Sequence, residues 1–241
     1  MAYRPACGLN AGRICRSPRR ELAFLCLAAG LLLIHSGCIN VFAIAGKMLL
    51  GDPMVISTFE QRTGVSLKDG LDRVIVVCSA PHGVTDEFDA LPLDLQERLY
   101  REMSRRGIDV VKPDKVASVL DATGGRIDPL RLAREFEDVT YIFHVDVEQF
   151  SLLESGSPNL YRGRAAGNIY GYEARADNPH SDVDRRHVVK VFEQEFGAEY
   201  PRSHPVTADS TPVRVFQRRF VDHLGGIAGR SFYDVRTTEA F

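Results

Sequence analysis

Tryptophan is absent from the 241 residues, methionine occurs four times and cysteine five times. Three cysteines, Cys7, Cys15 and Cys26, fall within the first 37 residues. That leaves Cys38 and Cys78, too few for the disulfide framework of a small secreted scaffold. The chain lacks a Gly-x-Ser-x-Gly elbow, a Walker-type phosphate loop and a His-Glu-x-x-His helix. It also lacks internal repeats, low-complexity tracts and a basic stripe with interleaved aromatics, which argues against nucleic-acid binding. What remains is ordinary, at 44% hydrophobic and 26% charged residues. That composition excludes a disordered chain, a collagen and a polytopic membrane protein.

The charge is unevenly spread. Residues 1–37 hold five Arg and one acid, Glu21, so the rest carries 25 of the 30 bases and 31 of the 32 acids, a net −6. The basic residues precede an uncharged apolar run at 22–34 and then His35-Ser36-Gly37-Cys38. A basic start, an apolar stretch of about 7–15 residues and small residues before the cut describe a secretory signal peptide. A cysteine directly after two small residues resembles a bacterial lipoprotein signal, although His35 stands where that pattern normally has an aliphatic residue. The resemblance implies cleavage before Cys38, a palmitate-type acyl chain on its sulfur and acylation of the new amino terminus. Two or more chains give stable anchoring where one does not. The alternative is an uncleaved signal anchor over 22–45, long enough to span a bilayer. Either reading exports the body to the cell envelope or periplasm, because positive charge stays inside.

The expected organisation is a signal peptide at 1–37, a lipid-anchored tether and connecting segment at 38–71 that docks partly on the body, an α/β domain at 72–235 and a tail at 236–241. The β-branched run at 73–80 reads as a strand covered on both faces, and Cys78 within it as a small buried hydrophobe. Leu95, Leu99 and Met103 recur at helical spacing over 92–106, and a second short strand follows at 108–111. Pro113 opens another helix, and Asp128-Pro129 is an N-cap followed by proline at the first helical position. From Val139 the apolar residues alternate with polar ones, broken only by Ile142. Two further strands at 160–173 and 187–196 suggest an antiparallel meander. Phe216, Phe220, Leu224 and Ile227 mark a long helix over 211–233, capped by Ser210 or Thr211. The fold class is therefore α/β, a mixed sheet with a parallel strand-helix-strand unit, an antiparallel three-strand meander and a long C-terminal helix.

This order resembles the α/β domain of the curli-secretion-channel lipoproteins, the lipoprotein activators of penicillin-binding proteins and the amino-terminal domain of TolB. Gly51-Asp52-Pro53, the 61–65 segment Gln-Arg-Thr-Gly-Val, the 73–78 segment Arg-Val-Ile-Val-Val-Cys, Arg105-Arg106-Gly107-Ile108, Ser157-Pro158-Asn159-Leu160 with Arg162-Gly163-Arg164, and Tyr200-Pro201 are similar to a family of planctomycete lipoproteins with no assigned activity. The resemblance implies a fold and an anchor, and fold alone does not specify function.

Three constellations are candidates for chemistry. His180, Asp182, Asp184 and His187 share one loop, but Arg185 and Arg186 raise the cost of a cation there, so it reads as a solvated hairpin loop and no metal or cofactor is expected. His144, Asp146 and Glu148 share one face of a strand about 6.6 Å apart and form a candidate binding or acid/base surface. Arg162 and Arg164 share one side of the next strand with Gly163 opposite. Such a pair clamps anions, or else pairs with carboxylates on a neighbouring strand, Glu193 and Glu195 being the expected partners. The reading is a non-enzymatic envelope lipoprotein that binds an envelope protein or assembles with itself. The alternatives are a secretion-pore subunit, disfavoured because Lys190 and Glu193 would place charge on both faces of their strand, and a hydrolase built on His144 that lacks an identifiable nucleophile.

Overall fold

The computed structural model describes residues 53–122, 124–176 and 186–237. Cys38, the expected signal peptide at 1–37, the 177–185 part of the His/Asp loop and the last four residues lie outside these. The described body begins with a two-residue strand β1 (Met54–Val55) and a short helix α1 (Thr58–Thr63). Then come β2 (Arg73–Ser79), α2 (His82–Thr85), α3 (Leu91–Arg105), β3 (Asp109–Val110), α4 (Pro113–Asp121) and α5 (Pro129–Glu135). Three long strands follow, β4 (Val139–Glu154), β5 (Ser157–Ala176) and β6 (Arg186–Tyr200). The body closes with β7 (Val206–Thr207), α6 (Val213–Gly229) and β8 (Val235–Arg236).

The main sheet runs β3-β2-β4-β5-β6, with β7 added to β5. β2 is parallel to both β3 and β4, and β4, β5 and β6 form the antiparallel meander. This is the mixed α/β sheet expected from the periodicities. Its core lies on both faces of β2. Val74, Val76 and Cys78 pack with Leu95 and Leu99 of α3 and Phe220 and Leu224 of α6. Ile75 and Val77 pack with Val116 of α4, Leu132 of α5 and Ile142 of β4. Ile142 breaks the alternation of β4 because this second layer gives it a place to be buried. Burial also pushes the Cys78 thiol well above its ordinary range, so it stays protonated and packs as an apolar group.

Caps bound several helices. The Asp128 carboxylate accepts from Leu130 N and Arg131 N, as expected of an N-cap. For α6 the expectation needs correction. Pro212 holds the N-cap position without a side-chain cap, and the Ser210 hydroxyl donates to Thr207 O in the preceding turn. The 53–71 segment, expected to dock in part, puts Phe59 fully into the core. β1 pairs with β8 so that Arg236, expected in the tail, lies opposite Met54, and Thr237 N donates to Pro53 O.

Lys190 and Glu193 do not place charge on both faces of their strand. A bulge at Gly171/Tyr172 sets Lys190 opposite Tyr172 and Glu193 opposite Tyr170, which places both charges on one face, and Lys190 Nζ lies 2.5 Å from Glu193 Oε2. The other face of the meander is covered by α1 and α6, so neither face offers lipid the apolar surface a barrel wall requires. Among the described residues no helix is long and apolar enough to cross a membrane.

Candidate functional site

α4 and α5 cover only the start of their side of the sheet. Beyond Val77 and Ile142 the strands continue without a helical layer, and their side chains are half-buried or exposed. Both sequence-predicted groups sit on this open face. β4 contributes His144, Asp146 and Glu148, and β5 contributes Asn168, Tyr170, Arg164 and Arg162.

The parallel register of β2 and β4 sets Ser79 opposite Asp146 and Val77 opposite His144. As a result the Ser79 hydroxyl lies 2.7 Å from His144 Nε2 and 2.7 Å from Asp146 Oδ1. An ionised carboxylate only accepts, so Ser79 donates to Asp146 and receives the Nε2 proton of His144, which assigns the tautomer. Sequence reasoning missed Ser79. The signal available was its position at the end of β2, two and four residues after Val77 and Ile75 on the same face.

A hydroxyl therefore stands beside His144, where no nucleophile had been identified. The order differs from that of a hydrolytic triad, because the serine lies between the two other groups and the histidine does not. His144 acts here as a donor, and its ring lies 6.0 Å from that of Tyr170. Glu148 is held in turn by Asn168 Nδ2 at 2.7 Å.

Burial lowers the His144 pKa below that of an ordinary histidine, and Asp146 opposes the shift. Burial likewise lowers that of His223 on α6, with Arg202 and Arg230 adding to the effect. The folded state thus resists protonation that the unfolded chain accepts near pH 6.5. The stability these groups permit is present above that value and falls as pH drops below it. We expect His144→Gln, which keeps a donor toward Ser79, to flatten the fall in melting temperature between pH 7 and about pH 5. An unchanged slope would assign that fall to other groups.

The arginine pair is satisfied by carboxylates, but not by the ones expected. The β5–β6 register places Glu199 opposite Arg164, Glu195 opposite Asn168 and Glu193 opposite Tyr170. Arg162 Nη1 bonds Glu199 at 2.6 Å and Arg162 Nε contacts Glu154. Arg164 Nη2 bonds Glu154 at 2.8 Å, with its Nε 3.7 Å from Glu199. Two cations and two anions thus close a ring across three strands. Both carboxyls are held below the ordinary carboxylate range, Glu154 chiefly by Arg164 and Glu199 chiefly by Arg162. The ring's contribution is therefore complete above that range and is lost as pH falls through the lowered values. Arg162→Ala should lower the melting temperature more than Arg164→Ala, because the Arg162 side chain is 16% exposed against 42% and exposed pairs contribute little. Equal melting temperatures for both variants and the parent would show that the ring adds nothing.

Next to the ring, Gln149, Ser151, Arg164, Glu199 and Arg202 line a shallow cavity of about 660 Å³ together with the apolar Phe150, Ala165, Ala166, Ala198 and Ile227. The open face is a broad surface of donors and acceptors held in place by their neighbours. Small-molecule sites are mostly apolar concavities, whereas polar, hydrogen-bonded surfaces of this kind suit the rim of a protein interface. Among the described residues no group of three His, Cys, Asp or Glu is placed to hold a metal.

No family profile and no curated protein sequence matches this chain. Solved structures with partial likeness include a PelC dodecamer from Paraburkholderia phytofirmans (9% identity, 75% of this chain and 96% of that one, TM-score 0.35). Lipoprotein GNA1162 from Neisseria meningitidis is similar at 9% identity, over 65% of this chain and 98% of that one, with a TM-score of 0.31. Hypothetical protein CT253 from Chlamydia trachomatis is similar at 13% identity, over 65% and 96%, with a TM-score of 0.33. At these values the likeness carries no statement about activity.

Proposed function

We propose that this chain is an exported protein of the cell envelope, anchored by acyl groups on Cys38, whose α/β body is a non-enzymatic module that binds a protein partner through the open sheet face. The observation that carries the binding half is the immobilised polar surface on β4 and β5. Ser79 fixes His144 and Asp146, Asn168 fixes Glu148, and the Glu154–Glu199 pair fixes Arg162 and Arg164. Side chains already ordered in the free protein lose little further entropy on binding. The observation that supports the address is the basic leader and apolar run ending at Ser36-Gly37-Cys38.

Mass spectrometry of the protein from its native membrane tests the address. The expected product begins at Cys38 and carries acyl chains, and Cys38→Ser should remove the acyl mass. A chain that still contains residues 1–37 and bears no lipid would overturn the anchor.

A further inference from the structure

Eight large apolar side chains are exposed among the described residues, and four of them, Met54, Val55, Ile56 and Leu71, belong to the first nineteen. Met54 is 52% exposed, Ile56 47% and Leu71 89%. They sit at one end of the body. Met54 lines a cavity of about 430 Å³ together with Lys68, Arg105, Arg106, Glu60 and Asp234, of which Arg106 lies over the Tyr233 ring and donates to Asp234 O. Arg105 closes α3 just before β3, whose Asp109 pairs with Arg73 at the start of β2. Leu71 stands two residues before that same Arg73. An exposed apolar cluster at one pole of a soluble fold marks an interaction surface, and this pole is where the chain arrives from Cys38, only fifteen residues before Pro53.

We infer that this pole rests on the lipid bilayer, with Met54, Ile56 and Leu71 seated among the headgroups and the adjoining cavity taking a zwitterionic phospholipid headgroup. Lys68 and Arg105 are the cations for its phosphate, and Glu60 is the acid for its ammonium. Neither the Lys68 ammonium nor the Glu60 carboxylate is paired with another described residue, whereas Arg105 shares Glu102. The mixture of signs favours a zwitterionic headgroup over an anionic one. Apolar side chains at the headgroup boundary, flanked by cations on long stems, are the chemistry of interfacial binding.

The inference rests on the anchored reading and deepens it by fixing an orientation. β4 begins beside Arg73, opposite which Val139 lies, and runs sixteen residues away from the pole, about 50 Å at 3.3 Å per residue. The Arg162–Glu154–Arg164–Glu199 ring and the open face are therefore held out toward a partner.

The absence of tryptophan makes a direct test available. Full-length Met54→Trp, Leu71→Trp and Leu153→Trp proteins are reconstituted into phosphatidylethanolamine/phosphatidylcholine vesicles containing brominated lipid. Leu153 is 44% exposed at the far end of β4 and serves as the distant control. Melting curves matching the parent confirm that each variant folds. Flotation and the mass of the amino terminus are read on the same samples. The expected result is loss of most fluorescence at positions 54 and 71 with none at 153. An acylated, floating protein with unquenched Trp at 54 and 71, or with equal quenching at 153, overturns the orientation and leaves the anchor standing. A protein that is neither acylated nor floated overturns both.

Discussion

Phe59→Ala is expected to lower the melting temperature by about 6–20 °C, from a loss of roughly 3–5 kcal/mol for a buried Phe truncation at about 2–4 °C per kcal/mol in a domain of this size. The side chain is fully buried, with its ring 5.2, 5.1 and 5.5 Å from those of Tyr141, Phe143 and Phe192, each in edge-on geometry. It thereby links β4 to β6 from outside the sheet. α1 has only six residues and cannot be stable alone. The Ser57 hydroxyl accepts from Glu60 N, and Gly64, at φ 75°, ends the helix; Phe59 seats α1 in the core, and Arg62 ties its exposed side to β6 through Gln194 at 2.7 Å. A chain beginning at residue 72 should accordingly lose cooperative unfolding in a circular-dichroism melt. A Phe59→Ala protein melting within about 2 °C of the parent would refute this account, since that shift corresponds to 1 kcal/mol or less.

Gly167→Ala should be nearly as damaging, at about 3 kcal/mol or more, the upper end of the cost of forcing atoms into a packed interior. A Cβ at this position would lie 2.0 Å from the Asp146 carbonyl oxygen and 3.0 Å from Cζ of Phe196. A side chain can turn away, but a backbone carbonyl in a β ladder cannot move without breaking its neighbours' hydrogen bonds. The strain falls on the strand segment that carries His144 and Asp146. The variant should therefore also lose the depressed titration of His144, readable by NMR of the imidazole. Gly197→Ala is the internal control, because the nearest atom to its Cβ would be 4.0 Å away, and its melting temperature should stay close to that of the parent. If both glycine variants melt alike, close approach of β5 to β4 is not what selects glycine at 167.

These two positions show where sequence reading reaches and where it stops. The strand at β2, the apolar stripe of α3 and the alternation of β4 are local periodicities, each readable within about ten residues. α1 has under two turns, so its period is too short to register, and the glycine and proline around it read as connection. Ser79 and His144 are 65 residues apart and meet only because β2 and β4 are parallel in one register. Glu193 and Glu195 had the right spacing for Arg162 and Arg164. The alignment of β5 with β6 instead delivers Glu199, and the β4–β5 hairpin delivers Glu154.

By itself the sequence determined the excess of positive charge ahead of Cys38, the excess of acids after it and the kind and order of the long elements, because hydrophobic spacing and charge are properties of neighbouring residues. The tertiary structure alone decided that Ser79 joins His144 and Asp146, that a bulge turns Lys190 and Glu193 to one face, and that both candidate groups share an open surface. Strand register is the physical reason. It is set by pairing between distant segments, and a shift of one residue moves every side chain to the opposite face.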